Sequence, residues 1–338
     1  MTFPQLHVGR EEPIIDPDLP IIDAHHHLFL RPAIRYLFDD YLADLRAGHR
    51  IVASVYVEAN SFPRPDGPEE LRPLGEVEFA NGAGAMGASG LYGEHLVCAG
   101  IVGYADLRLG DAVGRFLDAA LELAPDRFRG IRQIANDHPG EAPYRYMPNP
   151  PPRALLHHPA FRDGFRQLAA RGLSFDAALF HHQLGDLAAL ADAFPDVPIV
   201  INHCGQAVAM EMDADGRRAV FAEWREAMRE VARCPNVTCK VGGLGLPFWG
   251  FGLENRSDPI GYEELASIWN PYVETTIELF GADRCMMESD YPVDSRSAGF
   301  VPLWNALKHI VRGATPAEKA ALFHGTAARV YRIAVPGL

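Results

Sequence analysis

The stretch IIDAHHHLFL, residues 21–30, places three adjacent histidines directly after a short apolar run and an aspartate. A β-strand directs alternate side chains to opposite faces, so the run predicts a strand with Asp23, His25 and His27 on one face. Two histidines spaced in this way at the end of a strand can bind one metal ion. The alternative is a polar turn whose histidines face water, and the remainder of the chain has to discriminate between the two interpretations.

The composition of the 338-residue chain is that of a globular protein, with 48% hydrophobic and 22% charged residues. Its formal net charge of −13 argues against nucleic acid, which requires a basic surface for the phosphates. No run of about 18 apolar residues predicts a transmembrane helix, and the N-terminal MTFPQLHVGREE lacks the pattern of a signal peptide. We therefore expect a small-molecule substrate, with neither nucleic acid nor a membrane as a partner.

The five cysteines are scattered along the chain and include no C-x-x-C pair. An odd number without regular spacing predicts reduced thiols rather than a disulfide framework. A cytoplasmic location is the corresponding expectation. The sequence leaves the oligomeric state open, including a homo-oligomer.

Eight short β-rich runs alternate with helical patterns such as DAVGRFLDAALELA and RRAVFAEWREAMREVA. Strands that alternate with helices in this way predict a parallel α/β barrel, and no linker divides the series. The predicted fold is a (β/α)8 TIM barrel in a single domain, residues 1–338, with strand one near 20–28 and strand eight near 284–293. The eight runs are PIIDAHHHL, RIVASVYVEAN, LVCAGIVGYADL, FRGIRQIAN, GLSFDAALF, VPIVINHCG, NVTCKVGGL and RCMMESDYPV.

Loop lengths differ between the two ends of the predicted barrel. The segments that enter strands are short, whereas three of those that leave strands are long and rich in proline and glycine. Long loops in a compact domain usually carry function, and active sites of TIM barrels lie at the C-terminal rim. We predict that these βα loops form a substrate-binding lid. They are SFPRPDGPEELRP, NDHPGEAPYRYMPNPPPR and GLPFWGFGLENRSDP.

Two-residue alternation places ionisable side chains on the inward face of most predicted strands, with His203 in phase with Ile199 and Ile201. Such groups are costly to bury unless they are paired or bind a ligand. An internal salt-bridge network with Lys240 and Glu288 as members is the alternative, but it does not explain why the histidines gather at one rim. A site is the better interpretation. The inward set is Asp23, His25, His27, Glu58, Arg132, Asp176, His182, His203, Lys240, Glu288 and Asp290.

The histidines of strands one, five and six and the aspartate that ends strand eight form a nitrogen-rich set of donors with one hard oxygen. Imidazole suits zinc, manganese or iron, and a small set of ligands leaves a coordination position for water. At this point the sequence resembles the amidohydrolase superfamily, and within it the amidohydrolase-related branch (amidohydrolase 2) of metal-dependent barrel hydrolases. The resemblance spans nearly the whole chain and rests on IDAHHHL, GLSFDAALFHHQL, IVINHCGQ, CKVGGL and ESDYPVD, in the family's order.

The resemblance implies His25 and His27 as metal ligands. It also implies Asp290 as a ligand or general base, and His203 as a ligand or as a group that polarises the substrate carbonyl. For strand five, the match to the family and the strand parity both favour His182 over its neighbour. The implied cofactor is a divalent metal, zinc first and manganese second, although some lactonases of this branch work without a metal.

The branch includes lactonases of sugar acids, pyrone dicarboxylate and muconolactones, so we expect a hydrolase that opens a lactone or a similar cyclic ester of a small organic acid. A metal would lower the pKa of bound water and polarise the carbonyl, and Asp290 would move the proton. Arg132 has a planar fork that suits a substrate carboxylate, and a salt bridge to Glu58 or Asp106 is its alternative role. The relatives commonly have tryptophan where this chain has Tyr291, which alters the floor of the pocket.

The candidate residues fall into three overlapping groups. The metal ligands are His25, His27, His203 and Asp290, the catalytic residues are Asp290, His203 and His182, and the substrate-binding residues are Arg132, Glu58, His138, Trp249 and Tyr291.

Two alternative functions remain for the same chain. The first is a metal-dependent nonoxidative decarboxylase of an aromatic or muconate-type acid, since a neighbouring branch contains such enzymes on this scaffold. The second is a barrel with a vestigial site that acts as a binding protein, and the intact set of candidate ligands makes it the least favoured.

Overall fold

Eight parallel β-strands form the centre of the structure, and two further strands form a small antiparallel hairpin. The computed structural model describes residues 10–31, 34–147 and 149–338. Most of the N-terminal segment MTFPQLHVGREE lies outside the described residues. The strands are β1 (Ile21–His26), β2 (Phe29–Arg31), β3 (Ile34–Tyr36), β4 (Ile51–Val57), β5 (Leu96–Tyr104), β6 (Phe128–Arg132), β7 (Ser174–Ala177), β8 (Ile199–Ile201), β9 (Val237–Val241) and β10 (Cys285–Met287).

Helices follow the strands and cover the outside of the sheet. The order of the sheet is β1-β4-β5-β6-β7-β8-β9-β10, and each neighbouring pair is parallel. The predicted (β/α)8 TIM barrel is therefore confirmed. No described helix is long and apolar enough to cross a lipid bilayer. The helices are α1 (Phe38–Leu45), α2 (Leu74–Ala88), α3 (Gly114–Leu123), α4 (Phe161–Ala169), α5 (Leu184–Ala193), α6 (Ala214–Val231), α7 (Tyr262–Phe280), α8 (Phe300–Ile310), α9 (Pro316–Ala320) and α10 (Thr326–Val330).

Backbone hydrogen bonds join the first and last strands at their C-terminal ends. The amide of His27 donates to the carbonyl of Tyr291 over 2.8 Å, and the amide of Asp290 donates to the carbonyl of His25 over 2.9 Å. These bonds close the sheet into a barrel. They also bring the end of β1 against the segment that follows β10.

The barrel interior is filled by aliphatic side chains from alternating positions of the strands. Ile22, Val102 and Val200 belong to one buried cluster that also contains Tyr331 from the C-terminal segment. The hydroxyl of Tyr331 donates to the carboxylate of Asp176 over 2.9–3.0 Å. The C-terminal segment therefore belongs to the barrel core.

Helix α6 shows how the amphipathic pattern positions a functional turn. Asp213 caps its N-terminus by accepting a hydrogen bond from the amide of Gly216 over 2.8 Å. Trp224, on the buried face of the helix, donates from Nε1 to the carbonyl of Cys204 over 2.7 Å. Since Cys204 lies in the turn after β8, this helix anchors the segment that carries His203.

Asp23 faces the helices and not the barrel interior. Its Oδ2 accepts hydrogen bonds from the hydroxyl of Tyr41 over 2.8 Å and from Oγ of Ser289 over 2.6 Å. The register of β1 against β4 shifts between Asp23 and His26, which interrupts the simple two-residue alternation. The prediction that Asp23 shares a face with the two inward histidines of this strand is therefore wrong.

The strand phase predicted for His203 is also wrong. Ile199 and Ile201 pack in the outer core beneath the helices, and Val200 between them packs inside the barrel. His203 and Cys204 have φ values of 51° and 48°, in the left-handed region. This turn redirects the chain after β8, so the orientation of His203 does not follow from the parity of the strand.

His49 lies buried between α1 and β4, at the N-terminal end of the barrel. Its Nδ1 is 3.0 Å from Nζ of Lys308, and that ammonium also donates to the carbonyls of Ile15 and Asp16. Burial, and after it the charge of Lys308, lowers the pKa of His49 from 6.5 to about 3. The folded state therefore excludes a proton that the unfolded chain binds below pH 6.5.

We predict that His49→Gln reduces the acid sensitivity of the fold. The stabilisation by neutral His49 is complete above pH 6.5 and is lost as the pH falls from about 6.5 to about 3, by up to about 1.4 kcal/mol per pH unit. Urea denaturation at pH 7 and pH 5 should show a loss of unfolding free energy that is about 1–2 kcal/mol smaller in the variant than in the wild type. The exposed His158→Gln is the matched control, and an equal pH response of wild type and His49→Gln would contradict the prediction.

Candidate functional site

Three histidines and one aspartate converge at the C-terminal end of the barrel. Nε2 of His25 lies 3.2 Å from Nε2 of His27. Oδ1 of Asp290 lies 3.7 Å, 3.4 Å and 3.9 Å from Nε2 of His25, His27 and His203, respectively. All four side chains are buried. The structure thus brings together the four residues that the sequence indicated as metal ligands.

Strained backbone positions direct two of these side chains toward the others. Asp290 and His203 have φ values of 52° and 51°, which are unfavourable for residues other than glycine. Gly243 packs against the imidazole of His203, and a Cβ at this position would lie 2.1 Å from its Nδ1. The motif CKVGGL therefore contains a glycine because no larger residue leaves room for the ring.

Each of the three rings is held through its Nδ1 atom, away from the point of convergence. Nδ1 of His27 lies 2.8 Å from the carbonyl oxygen of Val57. Nδ1 of His203 is hydrogen-bonded to Oε1 of Glu288 over 2.9 Å. Nδ1 of His25 lies 2.9 Å from Oε2 of Glu288 without hydrogen-bond geometry, and 3.4 Å from Nζ of Lys240. A carbonyl or carboxylate oxygen only accepts, so the contacts of His27 and His203 favour Nδ1–H tautomers whose Nε2 lone pairs point inward.

Burial and charge set the protonation of this cluster. Burial lowers the pKa of both His25 and His27 below 6.5, and for His25 the charge of Lys240 lowers it further. Burial also acts to lower the pKa of His203, but Glu288 and Asp290 together raise it above 6.5. Burial acts to raise the pKa of Asp290, but His203 and His27 outweigh this and hold the pKa below 3.8.

The donor set fits a small divalent cation. A Zn–N bond of about 2.0–2.1 Å places the ligand atoms of a tetrahedron about 3.3 Å apart, and the distances from Asp290 to the three rings and from His25 to His27 are 3.2–3.9 Å. The ligand atoms of His25, His203 and Asp290 all lie within 4.8 Å of one another, and His27 lies outside this compact group of three. Several lone pairs directed at one carboxylate oxygen repel one another unless a cation or a proton lies between them. Oδ2 of Asp290 is, moreover, buried without a hydrogen-bond partner among the described residues.

Arg132 provides a second cation beside this cluster. Its Nε donates to Oε1 of Glu58 over 2.7 Å, and a further bond runs from Nη2 to the carbonyl of Glu58. Its Nη1 lies 3.3 Å from Nε2 of His25. Asp106, the other partner considered for Arg132, pairs with Arg108 instead. The salt bridge to Glu58 is therefore present, and only Nη1 remains directed toward the cluster.

His182 is not part of the convergent cluster. Strand β7 ends at Ala177, and the two histidines that follow lie in a 3-10 turn from His181 to Gln183, so strand parity does not extend to them. His182 is exposed, and its Nε2 contacts the carbonyl of Asp137 over 2.6 Å. His181 is buried, and its Nδ1 accepts from the amide of Val208. The structure brings neither ring into contact with the candidate ligands.

Three other candidates for substrate binding also lie outside the cavity next to the cluster. Trp249 is buried and donates from Nε1 to the carbonyl of Gly243, and the hydroxyl of Tyr291 donates to the carbonyl of Ala298. Nδ1 of His138 accepts from the amide of Gly140. These side chains support the loops, and their neighbours along the chain form the wall.

A cavity of about 200 Å³ opens onto the cluster. His27, Arg132, His203 and Asp290 line it, and two of the three long βα loops, those after β6 and β9, contribute to its wall. No described residue of the loop SFPRPDGPEELRP lines the cavity, so the prediction that this loop forms part of the lid is not supported. Most of the other lining residues carry no specific signal in the sequence, because the conformation of the loops determines which of their side chains face the cavity. These residues are Phe29, Arg31, Ile34, Ala59, Asn60, Ile134, Asn136, Tyr146, Met147, Asn149, Ala178, Gln206, Leu246, Phe248, Pro292, Val293, Ser295 and Arg296.

The role of Glu288 was also not recognised from the sequence, which suggested a salt bridge with Lys240. The ammonium of Lys240 instead lies 2.7 Å from Oδ2 of Asp176, and both side chains are fully buried. Glu288 is in phase with Asp290 at the end of the last strand. Glu288 precedes the candidate ligand Asp290 by two residues, so it could have been predicted to lie behind the ligands and to orient them.

Comparison with known proteins identifies relatives along nearly the whole chain. A model of the amidohydrolase family matches residues 22–333. The protein y4mH of Sinorhizobium fredii, described as uncharacterized, is 35% identical over 338 residues, covering 94% of this chain and 99% of its own. An L-fucono-1,5-lactonase of Burkholderia multivorans is 28% identical and covers 93% of this chain and 97% of its own.

Solved structures with the same architecture include an amidohydrolase from Burkholderia multivorans in two crystal forms. One contains bound HEPES and superposes with a TM-score of 0.71 at 25% identity, and the other contains bound zinc and superposes with a TM-score of 0.70 at 24% identity. Each alignment covers 93% of this chain and 99% of the other.

We predict that Glu288→Gln weakens metal binding without unfolding the protein. The amide has one acceptor oxygen and no charge, so Nδ1 of either His203 or His25 loses the carboxylate oxygen that lies 2.9 Å from it. The loss of such an outer contact typically reduces metal affinity about 10- to 100-fold. Competition with a chelator on zinc-loaded protein measures the change in Kd, and circular dichroism checks the fold.

Two variants complete this experiment. The exposed Glu274→Gln should bind zinc as the wild type does, and a variant with both His25→Ala and His27→Ala should bind none at micromolar concentration. Unchanged zinc affinity in Glu288→Gln would contradict the assigned role of Glu288, and full zinc loading of the double variant would contradict the site itself.

Proposed function

The chain belongs to the amidohydrolase family and is a hydrolase, and we propose that it opens a lactone, or a similar cyclic ester, of a small organic acid. The observation that carries this proposal is the convergence of three imidazoles and Asp290 beside a cavity that His27, His203 and Asp290 line. Its volume of about 200 Å³ is below the roughly 300 Å³ at which pockets for drug-sized ligands begin, which favours a small substrate. The similarity to an L-fucono-1,5-lactonase supports a cyclic ester as the reacting group.

We propose that His25, His27, His203 and Asp290 hold a divalent metal. A nitrogen-rich set with one carboxylate favours zinc, and manganese is the second choice. A divalent cation in such a site acidifies water and polarises a carbonyl group. Reaction without a metal is the alternative, in which the protonated imidazole of His203 donates to the carbonyl oxygen of the substrate.

Asp290 is the residue best suited to move the proton. Its carboxylate stays ionised at neutral pH because His203 and His27 hold its pKa below 3.8 against the effect of burial. Oδ1 faces the histidines and the residue lines the cavity, so its carboxylate can accept a proton from attacking water there. The same group then returns the proton to the alkoxide that leaves when the ring opens.

Arg132 orients the substrate through one N–H group. Glu58 holds Nε and Nη2, so the guanidinium cannot offer its full fork to a substrate carboxylate. Nη1 faces the cluster and can donate to an oxygen of the ester. The pair also keeps the charge of Glu58 neutralised where it is buried.

The function is tested by assaying metal-loaded protein against a panel of lactones and a panel of aromatic acids. Ring opening releases acid, which a pH indicator records, and decarboxylation releases carbon dioxide, which is detected separately. We expect acid release from at least one lactone and no carbon dioxide. Carbon dioxide from an aromatic or muconate-type acid would favour the alternative, a metal-dependent nonoxidative decarboxylase, and no turnover of any compound would favour a binding protein.

We predict that Asp290→Asn lowers kcat for the best lactone by about 10²- to 10⁴-fold, the usual contribution of general acid–base catalysis. Asparagine has nearly the same shape but does not accept a proton at neutral pH. Metal content is measured in the same sample, and the exposed Asp186→Asn is the control. Near-normal kcat would remove Asp290 from proton transfer, whereas loss of metal together with activity would identify it chiefly as a ligand.

A further inference from the structure

The charge of the cavity lining is opposite to that of the whole chain. The chain has a formal net charge of −13, but the residues that line the cavity include three arginines and, among the described residues, a single carboxylate, that of Asp290. Arg132 is accounted for by its salt bridge to Glu58. The other two, Arg31 and Arg296, have no role in the chemistry described above.

Arg31 ends strand β2 and extends to the cavity beside the loop that follows β4. Its Nη2 donates to the carbonyl of Ala59, and its guanidinium carbon lies 4.8 Å from the centre of the Phe29 ring. Within the described ranges, no carboxylate lies within ion-pair distance of Arg31. An aromatic face and a backbone carbonyl orient the group but leave its charge without an anionic partner.

Arg296 reaches the same cavity from the turn after β10. Burial lowers the pKa of this guanidinium, Asp290 and Asp294 raise it, and the positive charge of Arg31 lowers it. The two arginines therefore reach one cavity from different segments, the hairpin of β2 and β3 and the turn after β10. An anion bound between them would accept charge-assisted hydrogen bonds from both guanidinium groups.

The rest of the wall is largely apolar. Phe29, Ile34, Tyr146, Leu246 and Phe248 line the cavity, and the rings of Tyr146 and Phe248 meet edge to face at 6.2 Å. Amide and hydroxyl side chains also lie on the same lining and can hydrogen-bond polar groups of a substrate: Asn60, Asn136, Asn149, Gln206 and Ser295. The two arginines, and not the apolar part of the wall, therefore favour a substrate with an anionic group.

We propose that the substrate is an anionic lactone, whose acidic group is bound by Arg31 and Arg296 while its ester carbonyl faces the histidines and Asp290. This rests on the proposed lactonase function and adds the chemical class of the substrate. It distinguishes this chain from a lactonase that selects neutral sugar lactones.

The kinetic test uses a matched pair of small lactones, γ-carboxy-γ-butyrolactone and its primary amide, which differ only in charge at the substituent. In metal-loaded wild type we expect kcat/KM to be at least about 10-fold higher for the carboxylate, since hydrogen bonds to charged groups contribute this much or more. Arg31→Met and Arg296→Met should each lower kcat/KM for the carboxylate about 10- to 100-fold and change that of the amide less than about threefold. Arg35→Met, on the same hairpin but outside the cavity lining, should leave both unchanged.

A binding experiment separates this proposal from the proposed reaction. Calorimetry measures the affinity of metal-loaded protein for tetrahydrofuran carboxylate and for the matching carboxamide, neither of which contains a lactone. We expect the carboxylate to bind more tightly in wild type and in Arg35→Met, and to lose this advantage in Arg31→Met and Arg296→Met. That result supports the anion site even if no lactone is hydrolysed, in which case only the proposed reaction fails.

Two outcomes would overturn the proposal. The first is equal kcat/KM for the charged and neutral lactones, with both arginine variants affecting them alike. The second is carboxylate binding that is unchanged in both arginine variants, which would place the anion on the metal and not between Arg31 and Arg296.

Discussion

The carboxylate of Glu288 orients two imidazole rings that come from different parts of the barrel. One oxygen contacts Nδ1 of His25 at the end of β1, and the other contacts Nδ1 of His203 in the turn after β8. Both rings are thereby held with Nε2 directed at Asp290, which follows Glu288 by only two residues. The ligand geometry thus depends on a charge that never reaches the cavity, because Glu288 is fully buried behind the ligands.

The same segments close the barrel. The amide of Asp290 bonds the carbonyl of His25, and the amide of His27 bonds the carbonyl of Tyr291, so three of the four candidate ligands also take part in the hydrogen bonds between first and last strands. A shift of one strand past the other would break these bonds and separate the donors together. Fold closure and donor geometry are therefore one constraint, and the left-handed backbone of Asp290 is a local cost that this constraint maintains.

Local patterns predicted the barrel and the pair His25 and His27, because alternating strand and helix periods determine the architecture and residues two apart at a strand end share one face. His203 and Asp290 were indicated by the resemblance to the family, since both have left-handed backbone that strand alternation does not describe. The predictions failed where the backbone departs from regular strands: Asp23 lies beside a register shift, and His182 lies in a turn beyond the end of β7. Trp249 and Tyr291 were missed as supporting residues because the path of a long loop depends on tertiary contacts that no local pattern encodes.

A metal at this site and the guanidinium of Arg132 would compete for the lone pair on Nε2 of His25. Nη1 of Arg132 lies 3.3 Å from Nε2 of His25, and that nitrogen can either accept from the guanidinium or ligate a cation, but it cannot do both. Glu58 holds the other end of Arg132, so only Nη1 has to change its partner. If His25 held a metal, Nη1 of Arg132 would lose this acceptor and could donate into the cavity that Arg132 lines. Glu58 would keep Arg132 in place with or without the metal, so Arg132 would link metal binding to the orientation of the substrate.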